Sequence, residues 1–347
     1  MRKILFFINQ SDNSRNRKMM HMLAEEFAKQ DVEVQICPED FSIVKGSRGP
    51  LPPKGNRTIQ KKWKHILKEQ MPDYAISFGA HAHYCLLDAA SGTNVPVILV
   101  LQGNPEKHFA NPRQKAISRK YYERAYGMVV QTRDAMEFLS RHLDKKMLVC
   151  DGFLEDKYLH TKQVEKRTRR IVCMGNYKEN SGQILLAQTF ADLLSIYPEL
   201  QLEFYGHVFS RNAFLQVRTF VEERHLQEKI LFKEREGELG ETISDAAIFI
   251  TMDAGCGIPT GLLEAMALQI PVIAQEADYN GAKDVIEDGV NGLLVEDGNR
   301  KELMIGLKKY LENPEIVEGF AREAGNISLS YDRETIAKQW LDFLIGD

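Results

Sequence analysis

Residues 256–274 read CGIPTGLLEAMALQIPVIA. Two glycines and a proline precede an apolar segment whose one charge is Glu264. Glycine at the entry to a helix costs backbone entropy unless something must approach the main chain there. The first amides of a helix lack intrahelical partners and carry partial positive charge, so a phosphate fits at such an entry. A carboxylate one turn in, as Glu264 would be, could accept both hydroxyls of a ribose. The plain alternative is a tight strand–helix turn with a solvated glutamate.

Metal chemistry finds little support in the residue pattern. There is no Asp-x-Asp suited to a diphosphate-bound Mg²⁺ and no clustered His or Cys. The five cysteines, Cys37, Cys85, Cys150, Cys173 and Cys256, are scattered and form no C-x-x-C. That argues against disulfides and structural zinc and for a reducing cytosol.

The elements that must position these residues repeat a strand–helix rhythm. KILFFI, VEVQIC, YAISFG, VPVILVL and GMVVQT are short apolar strands, and residues 15–29 have helical periodicity. The second half restarts with RRIVCMG, LQLEFYG, KILFKE, AAIFITMD and NGLLVE as strands between helical segments. This is the rhythm of two open, largely parallel sheets with helices on both faces. Ligands of such sheets sit outside the carboxyl ends of the strands. Residues 41–57, rich in Gly, Pro and basic residues, read as a mobile loop, and the linker is expected near 155–168. A length of 347 residues suits two domains. No apolar run is long enough to span a bilayer, and MRKILFFIN reads as a first buried strand rather than a signal peptide.

Charge divides the chain. Residues 1–165 hold 26 Lys and Arg against 19 Asp and Glu, a net +7; residues 166–347 hold 19 against 30, a net −11. Within the basic half, residues 54–70 place Ile59, Trp63, Ile66 and Leu67 on one helical face, ringed by Lys61, Lys62, Lys64 and Lys68. Such a helix either lies on an anionic membrane surface or packs its apolar stripe on the sheet; the charge favours the membrane. A second basic tract, 113–124, adds two tyrosines. No groove-reading motif accompanies the charge, so nucleic acid is not expected as a partner.

Over about residues 170–345 the tracts resemble the family 4 glycosyltransferases. Gly257-Ile258-Pro259, Glu264-Ala265-Met266-Ala267 and Pro271-Val272-Ile273-Ala274 are similar to the family's Glu-Gly-Phe-Pro, Glu-Ala-Met-Ala and Pro-Val tracts. KDVIEDGVNGLLVEDGN, CMGNYKENSG and LEFYGH resemble three further family tracts. Over residues 1–165 only the strand–helix order matches. The resemblance implies a GT-B fold, α/β, with two Rossmann-like domains facing across a cleft that closes by a hinge. Residues 1–160 would bind the acceptor and 166–330 the nucleotide-sugar, and the helix at 331–347 would cross back to the first domain.

The activity implied is transfer of a hexose, with retention, from a UDP- or GDP-linked donor to a glycan or lipid-linked acceptor in cell-surface polysaccharide or glycoconjugate synthesis. The donor phosphate takes the acceptor proton, and neither cofactor nor metal is expected. By resemblance Glu264 binds the ribose, and backbone around Ile258, Pro259, Thr260, Gly261 and Leu262 meets the diphosphate and the sugar. Gly175, Asn176, Ser181 and Gly257 complete the donor set.

Three positions depart from the family: Cys256 replaces its first Glu, Asn176 its Arg and Ser181 its Lys. Lys178 is a candidate replacement for the lost cations, as are Arg15, Arg17 and Lys18. Gln102 stands where many relatives carry a sugar-contacting His, and His81 and His83 are expected to face the cleft. Cys256, Gln102 and Lys178 are the catalytic candidates; Arg15, Arg17, His81 and His83 are those for acceptor or phosphate. The departures motivate an alternative, a catalytically inactive partner or chaperone protein; a GT-B epimerase or phosphorylase ranks below both. The expected location is the cytoplasm, peripheral at the inner face of the cell membrane.

Overall fold

Short runs rich in Val, Ile and Leu form the inner strands, because burial on both faces suits such runs. In the computed structural model the described residues are all but 1, 10–13, 40–56, 160–163, 165, 180, 235–238, 254, 260 and 347, and the side chains of Asn9, Ser14, Ala80, His81 and Glu241. The loop expected at 41–57 and part of the 155–168 linker therefore lie outside the described residues.

The chain divides into two units, one of residues 1–153 with 333–347 and the other of residues 154–332. The division falls a few residues before 160 because Leu154 is fully buried in the second unit's core and its N–H donates to Tyr331 O at 2.7 Å.

The first unit runs β1 (Arg2–Asn9), α1 (Ser14–Ala28), β2 (Val32–Glu39), α2 (Arg57–Gln70), β3 (Tyr74–Phe78), α3 (Ala80–Ala89), β4 (Val97–Leu101), α4 (Pro112–Tyr122), β5 (Gly127–Val130), α5 (Arg133–Ser140) and β6 (Lys146–Val149). Its sheet has the order β2-β1-β3-β4-β5-β6. The second unit runs β7 (Arg170–Met174), α6 (Gln183–Leu193), β8 (Gln201–Tyr205), α7 (Arg211–Glu223), β9 (Ile230–Lys233), α8 (Leu239–Ile243), β10 (Ile248–Thr251), α9 (Leu262–Ala267), β11 (Val272–Glu276), α10 (Ala282–Val285), β12 (Leu293–Glu296), α11 (Arg300–Glu312), α12 (Pro314–Gly325) and α13 (Ser328–Tyr331). Its sheet has the order β12-β11-β10-β7-β8-β9. The chain winds outward from β7 in one direction and then from β10 in the other, so the two central neighbours flank a topological switch point.

The closing helix, α14 (Arg333–Ile345), belongs to the first unit. Its buried Trp340 stacks on Phe78 with centroids 6.3 Å apart, and its indole N–H donates to Cys150 Sγ at 3.3 Å. Burial pushes the Cys150 thiol up to about 11. Arg333 anchors the start of the helix to Glu25 and, at 3.2 Å, to Glu26 on α1.

Helix α2 corrects one expectation. Trp63 is fully buried, its ring 4.8 Å from Phe7, and Leu67 is buried beside it. The apolar stripe of residues 54–70 is spent on the sheet of its own unit and is not offered to a membrane. Lys62 pairs with Glu39, Lys64 donates to Ser91 O at 2.8 Å, and Lys61 and Lys68 are exposed. Trp63→Ala is expected to cost about 3–5 kcal/mol, while Lys61→Gln stays within about 0.5 kcal/mol. Denaturant titration of each variant checks this; equal midpoints would mean that the indole is not a core residue.

Candidate functional site

Three loops meet at the carboxyl edge of the second sheet, and their own hydrogen bonds shape them. After β7, Gly175 N donates to Tyr205 O at 3.0 Å, and Gln183 Nε2 bonds both Gly175 O and Asn176 O at 3.2 Å. Asn176 Oδ1 accepts from His207 N at 3.0 Å, tying this loop to the one after β8. The two chains approach so closely that a methyl on Gly206 would run into the Gly175 carbonyl. Ser181 Oγ donates to Lys178 O at 2.7 Å and accepts from Lys178 N at 3.1 Å, closing a turn. Asn176 and Ser181, where the resemblance places basic residues, are thus loop-building groups here. Lys178 is the cation of this loop. Where the loops after β7 and β8 meet, a cavity of about 480 Å³ opens, its lining including Asn176, Gly206, His207 and the exposed Glu234.

After β10 comes the stretch with Cys256. Asp253, only 8% exposed, accepts from Lys178 Nζ at 2.9 Å and from Gly255 N at 2.8 Å through the same oxygen, Oδ1. Asn280 Nδ2 donates to Asp253 O, and Asn280 Oδ1 accepts from Ala282 N at 2.8 Å. Gly257 is engaged on both sides: its N–H donates to Tyr279 O and its carbonyl accepts from Gly281 N, each at 2.9 Å. Ile258, Pro259 and Leu262 are buried, and Leu262 N already donates to Pro259 O at 3.2 Å. The amides of Gly257 and Leu262, both in the stretch expected to meet the donor, are hydrogen-bonded within the loops.

Gly261 is left-handed, with φ of 82°, and its Cβ would stand 3.0 Å from Leu239 Cδ2 and 3.1 Å from Met174 Sδ. Handedness and core packing demand this glycine. Thr260 lies outside the described residues. Helix α9 has six residues, with half-buried Glu264 in its first turn; Cys256 is half-buried at the head of the loop.

In the first unit the edge residues form a network of their own. Arg15 Nη1 pairs with buried Asp151 at 3.1 Å, Asp151 Oδ1 accepts from Gln131 Nε2, and Gln131 Oε1 accepts from Gly103 N at 2.7 Å. Gln102 exchanges hydrogen bonds with buried Asn16, one of 3.3 Å. Arg17 and Lys18 are exposed on α1. His83 corrects a second expectation: it is 1% exposed and hydrogen-bonded with buried Ser77, a core pair rather than an edge group. His81 lies in the first turn of α3, its side chain outside the described ones. Among the described residues, no group of three or more His, Cys, Asp or Glu could hold a metal ion.

Residues 156–326, which contain the Lys178, Asp253 and Glu264 loops, match the family described as Glycosyl transferases group 1. This segment is a group 1 glycosyltransferase domain. A Campylobacter jejuni relative is named N-acetylgalactosamine-N,N'-diacetylbacillosaminyl-diphospho-undecaprenol 4-alpha-N-acetylgalactosaminyltransferase. It is 24% identical over 176 residues, 51% of this chain and 46% of that protein. The poly(ribitol-phosphate) alpha-N-acetylglucosaminyltransferase of Staphylococcus aureus is 25% identical over 128 residues, 37% of this chain and 26% of its own. The chain spans about half or less of the length of these curated relatives. A glycosyltransferase from Rickettsia africae superposes with a TM-score of 0.81 at 13% identity, over 100% of this chain and 99% of its own. HepE of Anabaena, in complex with UDP, superposes at 0.76 with 15% identity, over 99% of each chain. The glycosyltransferase domain therefore sits in a chain of GT-B fold, with two parallel six-stranded sheets.

Sequence reasoning missed Asp253 and Asn280. The signal for Asp253 was there: a carboxylate ends the apolar strand IFITMD, on the edge where ligands bind. Two glycine variants test how the glycosyltransferase domain holds these loops. Gly206→Ala, which meets rigid backbone, is expected to destabilise by about 1–3 kcal/mol. Gly255→Ala meets the ends of two side chains, Lys178 Nζ at 2.7 Å and Asp253 Oδ1 at 2.9 Å. It should cost less than about 1 kcal/mol, the two side-chain ends shifting by a few tenths of an ångström without parting. Denaturant midpoints decide, and an inverted order would refute this account of the crossing.

Proposed function

We propose that the chain transfers a hexose, with retention, from a UDP- or GDP-linked sugar to a glycan or lipid-linked acceptor in cell-surface polysaccharide or glycoconjugate synthesis. The observation that carries this reading is the group 1 glycosyltransferase match over residues 156–326, which contains Glu264 and its Glu-Ala-Met-Ala tract. The named reaction of the C. jejuni relative, on a diphospho-undecaprenol glycan, supports the acceptor class.

In the step proposed, the bond between the anomeric carbon and the leaving phosphate oxygen breaks. The acceptor oxygen bonds to that carbon on the same face, and its proton goes to the departing phosphate. Negative charge grows on the diphosphate, so a fixed ammonium there lowers the barrier more than it tightens ground-state binding. Lys178 supplies that ammonium in place of the basic residues absent at Asn176 and Ser181. Glu264 holds the ribose by two hydrogen bonds to its carboxylate. The acceptor roles fall to Gln102 and Arg15, whose side chains are held by Asn16 and Asp151. Neither cofactor nor metal takes part.

Calorimetric titration with UDP-, GDP- and ADP-sugars, followed by a transfer assay, tests the reading. One of these donors is expected to bind, and Glu264→Ala to weaken it at least about tenfold, because hydrogen bonds to a charged group are lost. Cys256→Ser is expected to be mild. Absence of binding by every donor would sink the enzyme reading, and binding without turnover over a broad acceptor panel would return the inactive-partner alternative.

Attachment to the inner face of the membrane is proposed through charge alone, since Trp63 is buried. No helix among the described residues is long and apolar enough to cross a membrane. Co-sedimentation with anionic vesicles should fall in high salt and on replacing Lys61, Lys62 and Lys68 by Gln; binding indifferent to both would refute it.

A further inference from the structure

Two charged side chains meet directly over the switch point of the second sheet. Lys178 comes from the loop after β7, and Asp253 follows the end of its neighbour β10. The two members of the pair differ in exposure. The Asp253 side chain is 11% exposed and that of Lys178 41%, so the ammonium is the member that meets solvent. A buried carboxylate is stable only when paired and hydrogen-bonded. Asp253 Oδ1 has both partners, the ammonium at 2.9 Å and the Gly255 amide at 2.8 Å.

The ammonium rests close to the Gly255 backbone. A methyl on Gly255 would stand 2.7 Å from Lys178 Nζ, which puts the charge against the backbone of the turn that leads to Cys256. An ammonium carries three N–H donors. One is used on Asp253, and among the described residues the other two have no acceptor.

We propose that Asp253 is a positioning residue: it pins the Lys178 ammonium over the Gly255 turn, with two N–H donors left for the diphosphate of the donor. This rests on the donor-site reading given above. A lysine side chain is long and rotamer-rich, and a free one would have to be ordered at each turnover. Held in advance by a buried carboxylate, it meets developing charge without that cost. The arrangement also explains how one lysine serves where two basic positions, Asn176 and Ser181, carry none. Being a flexible point charge, it needs a fixed partner to act in one place.

A double-mutant cycle on the full chain tests this, with donor binding and transfer measured separately. Lys178→Met is expected to lower kcat about 100-fold. Asp253→Asn, whose amide oxygen can still accept from Gly255 N, is expected to lower kcat about tenfold and to change donor affinity less than about threefold. The double variant should be no slower than Lys178→Met alone, because Asp253 acts through the lysine. Asp253→Glu should recover part of the loss.

Full activity in Asp253→Asn would overturn the proposal. So would an equal loss from Asp253→Asn in the Lys178→Met background, since that is the signature of a role confined to the fold of the turn. Donor transfer by the wild type that is indifferent to Lys178→Met would overturn it as well. These outcomes leave the glycosyltransferase reading standing. Absence of donor binding by the wild type removes both.

Discussion

Parallel pairing is the constraint on which the rest depends. In both sheets every strand runs parallel to its neighbours, as in the pairs β7–β8, β7–β10 and β10–β11. Each strand must then be followed by a crossover, and all the loops that leave the carboxyl ends fall on one edge. Crowding at that edge sets its composition. Gly206 has no side chain because the Gly175 carbonyl occupies the space, and Gly261 has none because Leu239 and Met174 do. The polar groups of the loops are consumed in fixing one another, through Asn176 to His207, Ser181 to Lys178 and Asn280 to Asp253. What remains to meet a ligand is correspondingly small.

Charge follows the same economy. The half of the chain that carries the glycosyltransferase domain is the acidic one, at −11 over residues 166–347. A dianion would gain nothing from that total. Surface charges farther away than about 8 Å are screened at physiological salt, however, so the local groups decide. Here the local group is a half-buried lysine ammonium backed by a buried carboxylate.

The periodicity of apolar residues made the fold legible. Five of the six strands of the first sheet were read from their apolar runs; β6, four half-buried residues beginning with Lys146, was not. The tract from Cys256 to Ala274 was legible for the same reason: strand, glycine turn and short helix each leave a local mark. Contacts between distant residues leave none. That Trp63 turns inward onto Phe7, and that His83 spends itself on Ser77, depends on which face of a helix meets the sheet. A basic rim around an apolar stripe reads the same whether the stripe covers a core or a bilayer. Asp253 escaped because its partner lies 75 residues away in sequence. The role of Gly257 escaped because its amide and carbonyl are taken by Tyr279 and Gly281, which no local pattern announces.

The return of α14 to the first unit has a consequence for how the protein is made. The seat of Trp340, beside Phe78 and Cys150, is built from residues synthesised early, but the indole that fills it comes after the whole of residues 154–332. At roughly 5–20 residues per second, the ribosome leaves that apolar seat uncovered for about 10–35 s. The second unit is continuous in sequence and can close on itself during the interval. The unit that is begun first is therefore finished last.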